Sequence, residues 1–303
     1  MLDVFINFIK SSAFVALDIK TIIMLVISFF LMYLAIVKKF EPLLLIPISF
    51  GMLLANVPFA GMMDPPTENQ FGGVLYYLYQ GVELGVFPPL VFMGIGAMTD
   101  FGPLISNPKS LFLGAAAQFG IFVTFIGAIA SGAFTAAEGA SIAIIGGANG
   151  PAALYLTSLL APHLLGSIAI AAYSYMALVP VIQPPIMMAL TSKEERMIKM
   201  KQMRVVSQKE KIIFPIMVTL LVSLIVPAST PLVGMLMLGN LFKEALIVDK
   251  LRATASDAIM YTVTIFLGLT IGATANAEQF LSSKTILIMI LGVVAFSFGT
   301  AMG

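Results

Sequence analysis

The sequence predicts an all-α polytopic membrane protein, and three observations carry that prediction. Of its 303 residues 59% are hydrophobic and only 10% charged, against about a quarter charged in a soluble domain. Long apolar runs recur along the chain, with a mean hydropathy of +1.03, as spanning helices require. Two apolar arms, each too short to cross a bilayer, meet at Gly146-Gly147-Ala148-Asn149-Gly150-Pro151. Each arm, 136–145 and 152–160, rises about 15 Å, half of a hydrocarbon core of about 30 Å. Such half-helices leave carbonyls, N–H groups and a polar side chain near the midplane, where transporters bind ions. The whole of 1–303 reads as a single membrane domain with multiple spans and broken or re-entrant half-helices.

The elements follow in order. Residues 2–17 mix Leu2, Val4, Phe5, Phe8 and Ile9 with Asp3, Asn7, Lys10, Ser11 and Ser12, the composition of an interfacial helix rather than a cleaved leader. Segment 21–37 is the first span, between Lys20 and Lys38-Lys39, and 42–57 the second, with Pro47 and Gly51 inside it. A polar Pro/Gly loop covers 58–74. Segment 86–98 is too short to cross alone and is read as re-entrant or broken; Met98-Thr99-Asp100-Phe101-Gly102-Pro103 follows it. Segment 111–129 spans. The arms 136–160 come next, opened by Thr135 and Glu138 at capping-box spacing, and Pro151 suits the first turn of the second arm. Segment 164–180 spans, and Gln183-Pro184-Pro185 is expected to end it. Segments 212–226, 232–242, 258–272 and 286–303 supply further spans. The spacings Gly268/Gly272 and Gly299/Gly303 allow close helix approach.

Residues 191–211 are the strongly hydrophilic stretch. They hold Lys193, Arg196, Lys199, Lys201, Arg204, Lys209 and Lys211, out of 16 basic residues in the chain. The positive-inside rule places this loop in the cytoplasm, either simply solvated or as a docking surface. The chain stops inside an apolar run at Gly303, so the natural protein is expected to continue. A net charge of +1 implies no nucleic-acid partner, and the absence of cysteine leaves no disulfide or thiolate metal site. No phosphate-cradling loop and no serine nucleophile elbow occurs. Energy must therefore come from an ion gradient or from a partner's chemistry.

The strongest candidate site is the break itself. Gly146-Gly147 permits a left-handed turn that ends the first arm, and its free carbonyls, with that of Gly150, favour a cation. Asn149 adds a side-chain oxygen and can cap the next arm. An oxygen-only set suits a hard ion such as Na⁺; the alternative is a Gly/Pro kink with no ligand. Asn149 offers a dipole where an aspartate would offer a charge. Tyr173, Ser174 and Tyr175 form a second constellation on a spanning helix, where hydroxyls need partners; the alternative is interfacial tyrosines. Thr99-Asp100 is either an ion site or a helix cap. Gln118, in mid-span, reads as interhelical glue, and His163 as a boundary residue.

Several runs resemble one family: Phe92-Met93-Gly94-Ile95-Gly96-Ala97-Met98-Thr99-Asp100-Phe101-Gly102-Pro103, Leu113-Gly114-Ala115-Ala116-Ala117-Gln118-Phe119-Gly120, Ile144-Ile145-Gly146-Gly147, Tyr173-Ser174-Tyr175-Met176-Ala177-Leu178-Val179-Pro180, Gln183-Pro184-Pro185 and Thr264-Ile265-Phe266-Leu267-Gly268. They are similar to the β subunit of the biotin-dependent, sodium-pumping decarboxylases, which act on oxaloacetate, methylmalonyl-CoA or glutaconyl-CoA. The resemblance implies an inverted-repeat transporter fold, of which this chain holds one half plus part, the C-terminal part missing. It implies a multi-pass protein of a bacterial or archaeal cytoplasmic membrane that decarboxylates carboxybiotin, consumes a proton and exports Na⁺. It implies an α partner carrying carboxyltransferase and biotin, a small γ-type membrane subunit, and an oligomer of β subunits in lipid. The family's Na⁺-binding aspartate, in Gly-Gly-Ala-Asp-Gly-Pro, falls at Asn149, and Ala152 stands where a threonine is usual. The family's membrane tyrosine falls at Tyr175, as proton or carboxybiotin group, with Ser174 beside it. The second half-site has no match in this chain, and the short 58–80 region is closer to the CoA-ester members. Two competing expectations are a secondary Na⁺-coupled carrier for a small anion and an inactive scaffold paralogue.

Overall fold

Helix ends are set by local chemistry, and they fix twelve principal helices. The structure, a computed structural model, describes residues 12–199, 203–280 and 282–303. Helix α1 (Ile19–Ile36) begins where the Asp18 side chain accepts from Thr21 N at 2.7 Å. Pro42 then opens α2 (Pro42–Ala55), at a position where its missing N–H costs nothing. Helices α3 (Val74–Glu83) and α4 (Phe87–Met98) are bent by 70° at Leu84-Gly85-Val86 and are together long and apolar enough for one broken span or a re-entrant loop. Segment 86–98 is thus the second arm of a bent helix pair, as its reading as re-entrant or broken expects. Next come α5 (Pro108–Ala130), α6 (Ala136–Ala143) with a 3₁₀ turn Ile144–Gly147, and α7 (Gly150–Leu160). They are followed by α8 (Leu165–Leu190), α9 (Gln208–Ile225), α10 (Thr230–Glu244), α11 (Asp249–Thr274, with a π segment Thr254–Ile259) and α12 (Ser283–Met302).

Three expectations change. Gln183-Pro184-Pro185 does not end α8, which runs on to Leu190. Each proline removes only one N–H, and packed neighbours tolerate this inside a membrane helix. The hydrophilic stretch ends at Ser207, because the Ser207–Glu210 capping box starts α9 at Gln208. Of the expected helix 2–17, residues 2–11 lie outside the described residues, and Ala13–Ala16 forms a 3₁₀ turn with Phe14 and Val15 exposed.

Packing rests on bare backbone contact more than on side-chain bulk. A Cβ added at Gly51 or Gly272 would strike the Leu269 or Ile48 carbonyl, so α2 and α11 touch backbone to backbone. Gly96 and Gly239 do the same for α4 and α10. In lipid, apolar side chains gain little by leaving the solvent, so close approach through small residues supplies the attraction. Two apolar cores lie on the two faces of α8. Leu165, Ala169, Ile170 and Tyr173 face α1, α2 and α11, while Ile168, Ala171, Ala172 and Tyr175 face α5, α6 and α12.

The two ends of the bundle differ in charge. At one end Asn56 donates to the Ala275 carbonyl at 2.9 Å, and Glu138 meets His163 and Lys284. At the other, Lys211 approaches Asp100 and Glu244, and Lys243 donates to the Thr99 carbonyl. Following the chain through its crossings places Lys38, Lys39, Lys109, Lys193, Arg196, Arg204, Lys209, Lys211, Lys243, Lys250 and Arg252 at this second, basic end. Arg204 donates to Glu210 there and holds its carboxyl down at about 2.

Candidate functional site

The two short arms fold back on each other as a re-entrant hairpin. The capping box is present: Thr135 Oγ1 accepts from Glu138 N at 3.3 Å, and Glu138 Oε2 accepts from Thr135 N at 2.7 Å. The first arm then tightens into the 3₁₀ turn. Eight α residues and four 3₁₀ residues descend about 20 Å. The second arm, eleven residues long, climbs back about 16 Å. Glu138 Oε1 and His163 Nε2 meet at 3.0 Å, so the hairpin enters and leaves at the same end of the bundle. Its tip therefore lies about half a bilayer deep.

The tip is made differently from the sequence expectation. The left-handed residue is Ala148, with φ +50°, and Gly146-Gly147 stay in the 3₁₀ turn. The glycines serve close approach instead. A Cβ at Gly146 would fall against the Gly120 backbone, and Cβ atoms at Gly120 and Gly299 would lie 3.1 and 3.3 Å from the Gly146 carbonyl oxygen. Three backbones, from α5, the tip and α12, converge there. Asn149 is extended and exposed, and its Oδ1 accepts from Ala152 N at 3.1 Å, capping α7.

A cavity of about 230 Å³ adjoins the tip, lined by Gly146, Gly147, Ala148, Ala117, Gln183 and Thr300 among others. Met187 and Gly303 also line it, so it opens from the tip toward the basic end. No charged side chain lines it. Its polar groups are amides, a hydroxyl and the carbonyl end of a short helix, a set that suits a hard cation or a neutral hydrogen-bonding group. Among the described residues no three His, Cys, Asp or Glu side chains converge on a metal position. Gln118 also belongs here, since a Cβ at Gly147 would lie 2.8 Å from its Oε1.

The other expected residues are elsewhere. Tyr175 is buried and its hydroxyl donates to the Met289 carbonyl on α12. It is absent from the cavity lining and precedes Gln183 by two helical turns, about 12 Å. The Ser174 side chain lies outside the described residues. Thr99 donates to the Ile95 carbonyl at 2.7 Å, while its own carbonyl accepts from Asn240 and Lys243, each at 3.0 Å. Asp100 Oδ1 accepts from Gly102 N at 2.9 Å; that N–H, with Lys211 and Lys243 behind it, holds the carboxyl below the usual carboxylate range. Asp100 thus closes a turn onto Gly102 N, between Thr99 at the end of α4 and the short helix Gly102–Ser106. Sequence reasoning missed Gln183 and Thr300; Gln118, read as interhelical glue, does stand between α5 and the tip at Gly147. The available signal was an amide between Pro180 and Pro184, inside an apolar run.

Comparison with known proteins covers almost the whole chain. Residues 20–303 match the family described as Na⁺-transporting oxaloacetate decarboxylase beta subunit. The chain is 61% identical to the methylmalonyl-CoA decarboxylase subunit beta of Propionigenium modestum, over 100% of this chain and 81% of that one. It is 55% identical to the glutaconyl-CoA decarboxylase subunit beta of Acidaminococcus fermentans, over 97% of this chain and 77% of the relative. It is 48% identical to the oxaloacetate decarboxylase beta chain 2 of Salmonella typhi, over 93% and 78% respectively. This chain, with its re-entrant hairpin and its bundle of apolar helices, belongs to the family of Na⁺-transporting decarboxylase β subunits.

Proposed function

We propose that this chain is the membrane subunit that couples decarboxylation of carboxybiotin, carried by a partner, to export of Na⁺. The observation that carries the proposal is a hairpin tip half a bilayer deep beside an uncharged, oxygen-bearing cavity open toward the basic end. By the positive-inside rule that end, with residues 191–207, faces the cytoplasm. A biotin carrier arriving from the cytoplasm would approach from that side. The C–N bond of carboxybiotin breaks, CO₂ leaves, and the ureido nitrogen takes up a proton. Na⁺ is cargo, held by Asn149 Oδ1 with the carbonyls of Gly146, Gly147 and Gly150. Tyr175, with Ser174 beside it, is the proposed proton or carboxybiotin group. The partners are an α subunit with carboxyltransferase and biotin, a small γ-type subunit and further β copies. The acid, methylmalonyl-CoA, glutaconyl-CoA or oxaloacetate in the named relatives, is set outside this chain.

Position 149 is the test. Asn149 supplies a dipole, and a carboxylate there would add a charge in a pocket of low dielectric. Asn149→Asp in the assembled complex lowers the Na⁺ concentration for half-maximal decarboxylation about tenfold, equivalent to about 1.4 kcal/mol. Unchanged Na⁺ dependence would remove position 149 from the ion site. An avidin pull-down of the membrane complex brings a biotinylated protein down with this chain; its absence would favour a Na⁺-coupled carrier.

A further inference from the structure

The functional reading leaves one buried carboxylate unused. Glu138, 7% exposed, sits at the mouth of the hairpin, at the end opposite the cavity opening. Its Oε2 accepts from Thr135 N, and its Oε1 faces His163 Nε2 at 3.0 Å and Lys284 Nζ at 3.5 Å. Lys284 also stands 5.7 Å from the centroid of the Phe134 ring. These contacts tie three elements together: the first arm, the turn ahead of α8, and the start of α12. Among the described residues no other charge pairs with Glu138. The second arm carries none, and α5 brings Ala128 and Ile129 against Gly139. Between this cluster and the tip lie Ala128, Ile142, Ile145 and Ile288, packed in one apolar core. The tip is thus open toward the basic end and shut toward the other.

We propose that Glu138, His163 and Lys284 form the latch of the non-cytoplasmic gate, and that separating them releases the Na⁺ held at the tip. The proposal rests on the export reading above. An ion leaving outward must pass between the hairpin and α12, the elements this cluster joins. The His163 side chain is 62% exposed, so protons on that side reach it. Protonation fixes Nε2 as a donor and turns its bond to the Glu138 carboxylate into an ion pair, adding Coulomb attraction to a bond already made to a charged acceptor. Acid on the non-cytoplasmic side therefore tightens the latch, over the window of roughly pH 5 to 8 in which histidines in general change charge.

The test uses the assembled complex in proteoliposomes, with decarboxylation substrate added outside and buffer of set pH trapped in the lumen. Complexes that receive substrate have their non-cytoplasmic face in the lumen. Wild-type substrate-driven ²²Na⁺ uptake falls about threefold or more when lumen pH is lowered from about 7.5 to 5.5 across that window. In His163→Gln the profile flattens, although any effect of the pH gradient itself is shared by both proteins. Glu138→Gln keeps an acceptor for Thr135 N and removes the charge, and it also flattens the profile. If Glu138→Gln fails to assemble, His163→Gln, an exposed position, decides alone. Equal lumen-pH profiles in wild type and His163→Gln overturn the latch. Decarboxylation without any wild-type Na⁺ uptake overturns the export reading instead.

Discussion

The two ends of the re-entrant hairpin are built from opposite materials. The rim is charged and paired: Glu138 is buried between Thr135 N, His163 and Lys284. The tip is neutral and open: Gly146, Gly147 and Ala148 line the cavity with Gln183 and Thr300, Gln118 stands against Gly147, and Asn149, outside that lining, is exposed. A charge at the rim is near water and can be satisfied by three donors. A charge at half-bilayer depth has no such supply, so the tip uses carbonyls and amides. The difference teaches that the rim holds the hairpin in place with charge, while the tip presents only neutral groups, one of which, Asn149 Oδ1, also caps α7.

The largest break is expected at the tip's packing. Gly146→Val pushes a side chain into the Gly120 backbone and costs about 3 kcal/mol, read as loss of the assembled complex or a large drop in its melting temperature. The rim should break more gently. Thr135→Ala removes one half of the capping box and costs about 1 kcal/mol, with the Na⁺ dependence of decarboxylation unchanged. The smallest effect sharpens the comparison. Ala148 is left-handed, a strain of roughly 1–2 kcal/mol, and glycine would relieve it while adding chain entropy of roughly 0.5–1 kcal/mol. Ala148→Gly therefore shifts stability by about 1 kcal/mol or less, in the stabilising direction. A large loss on thermal unfolding would show that the methyl group itself packs.

Much of this was legible in the sequence because it is local chemistry. Thr135 and Glu138 at capping-box spacing, and Pro151 in the first turn, mark the starts of both arms, and each start lies where expected. Apolar run lengths located most crossings to within a few residues, but α8 runs on to Leu190 and α11 already begins at Asp249, well outside the expected 164–180 and 258–272. What was not legible is long-range or degenerate. Periodicity cannot tell two arms in line from two arms side by side, and the deciding contact, Glu138 to His163, joins residues 25 apart. Glycine's freedom pointed to Gly146-Gly147 for the positive φ, but Gly146 packs against Gly120 and Gly299 and Gly147 against Gln118 and Ile121, and the left-handed residue is Ala148. Pro184 and Pro185 read as a stop, although α8 continues through them and brings Gln183 and Met187 to the cavity. Tyr175 stands in a long apolar helix, and nothing local signals that its hydroxyl is committed to Met289.

The central claim is that the hairpin tip lies inside the membrane and is reached from the basic, cytoplasmic end. The chain contains no cysteine, so Ala148→Cys gives a single reporter in this subunit. Labelling with a membrane-impermeant maleimide in sealed inverted and right-side-out vesicles tests the claim most directly. Cys at position 148 reacts from the cytoplasmic side, is shielded from the opposite side, and is slowed by Na⁺. Labelling from the non-cytoplasmic side alone would contradict the account.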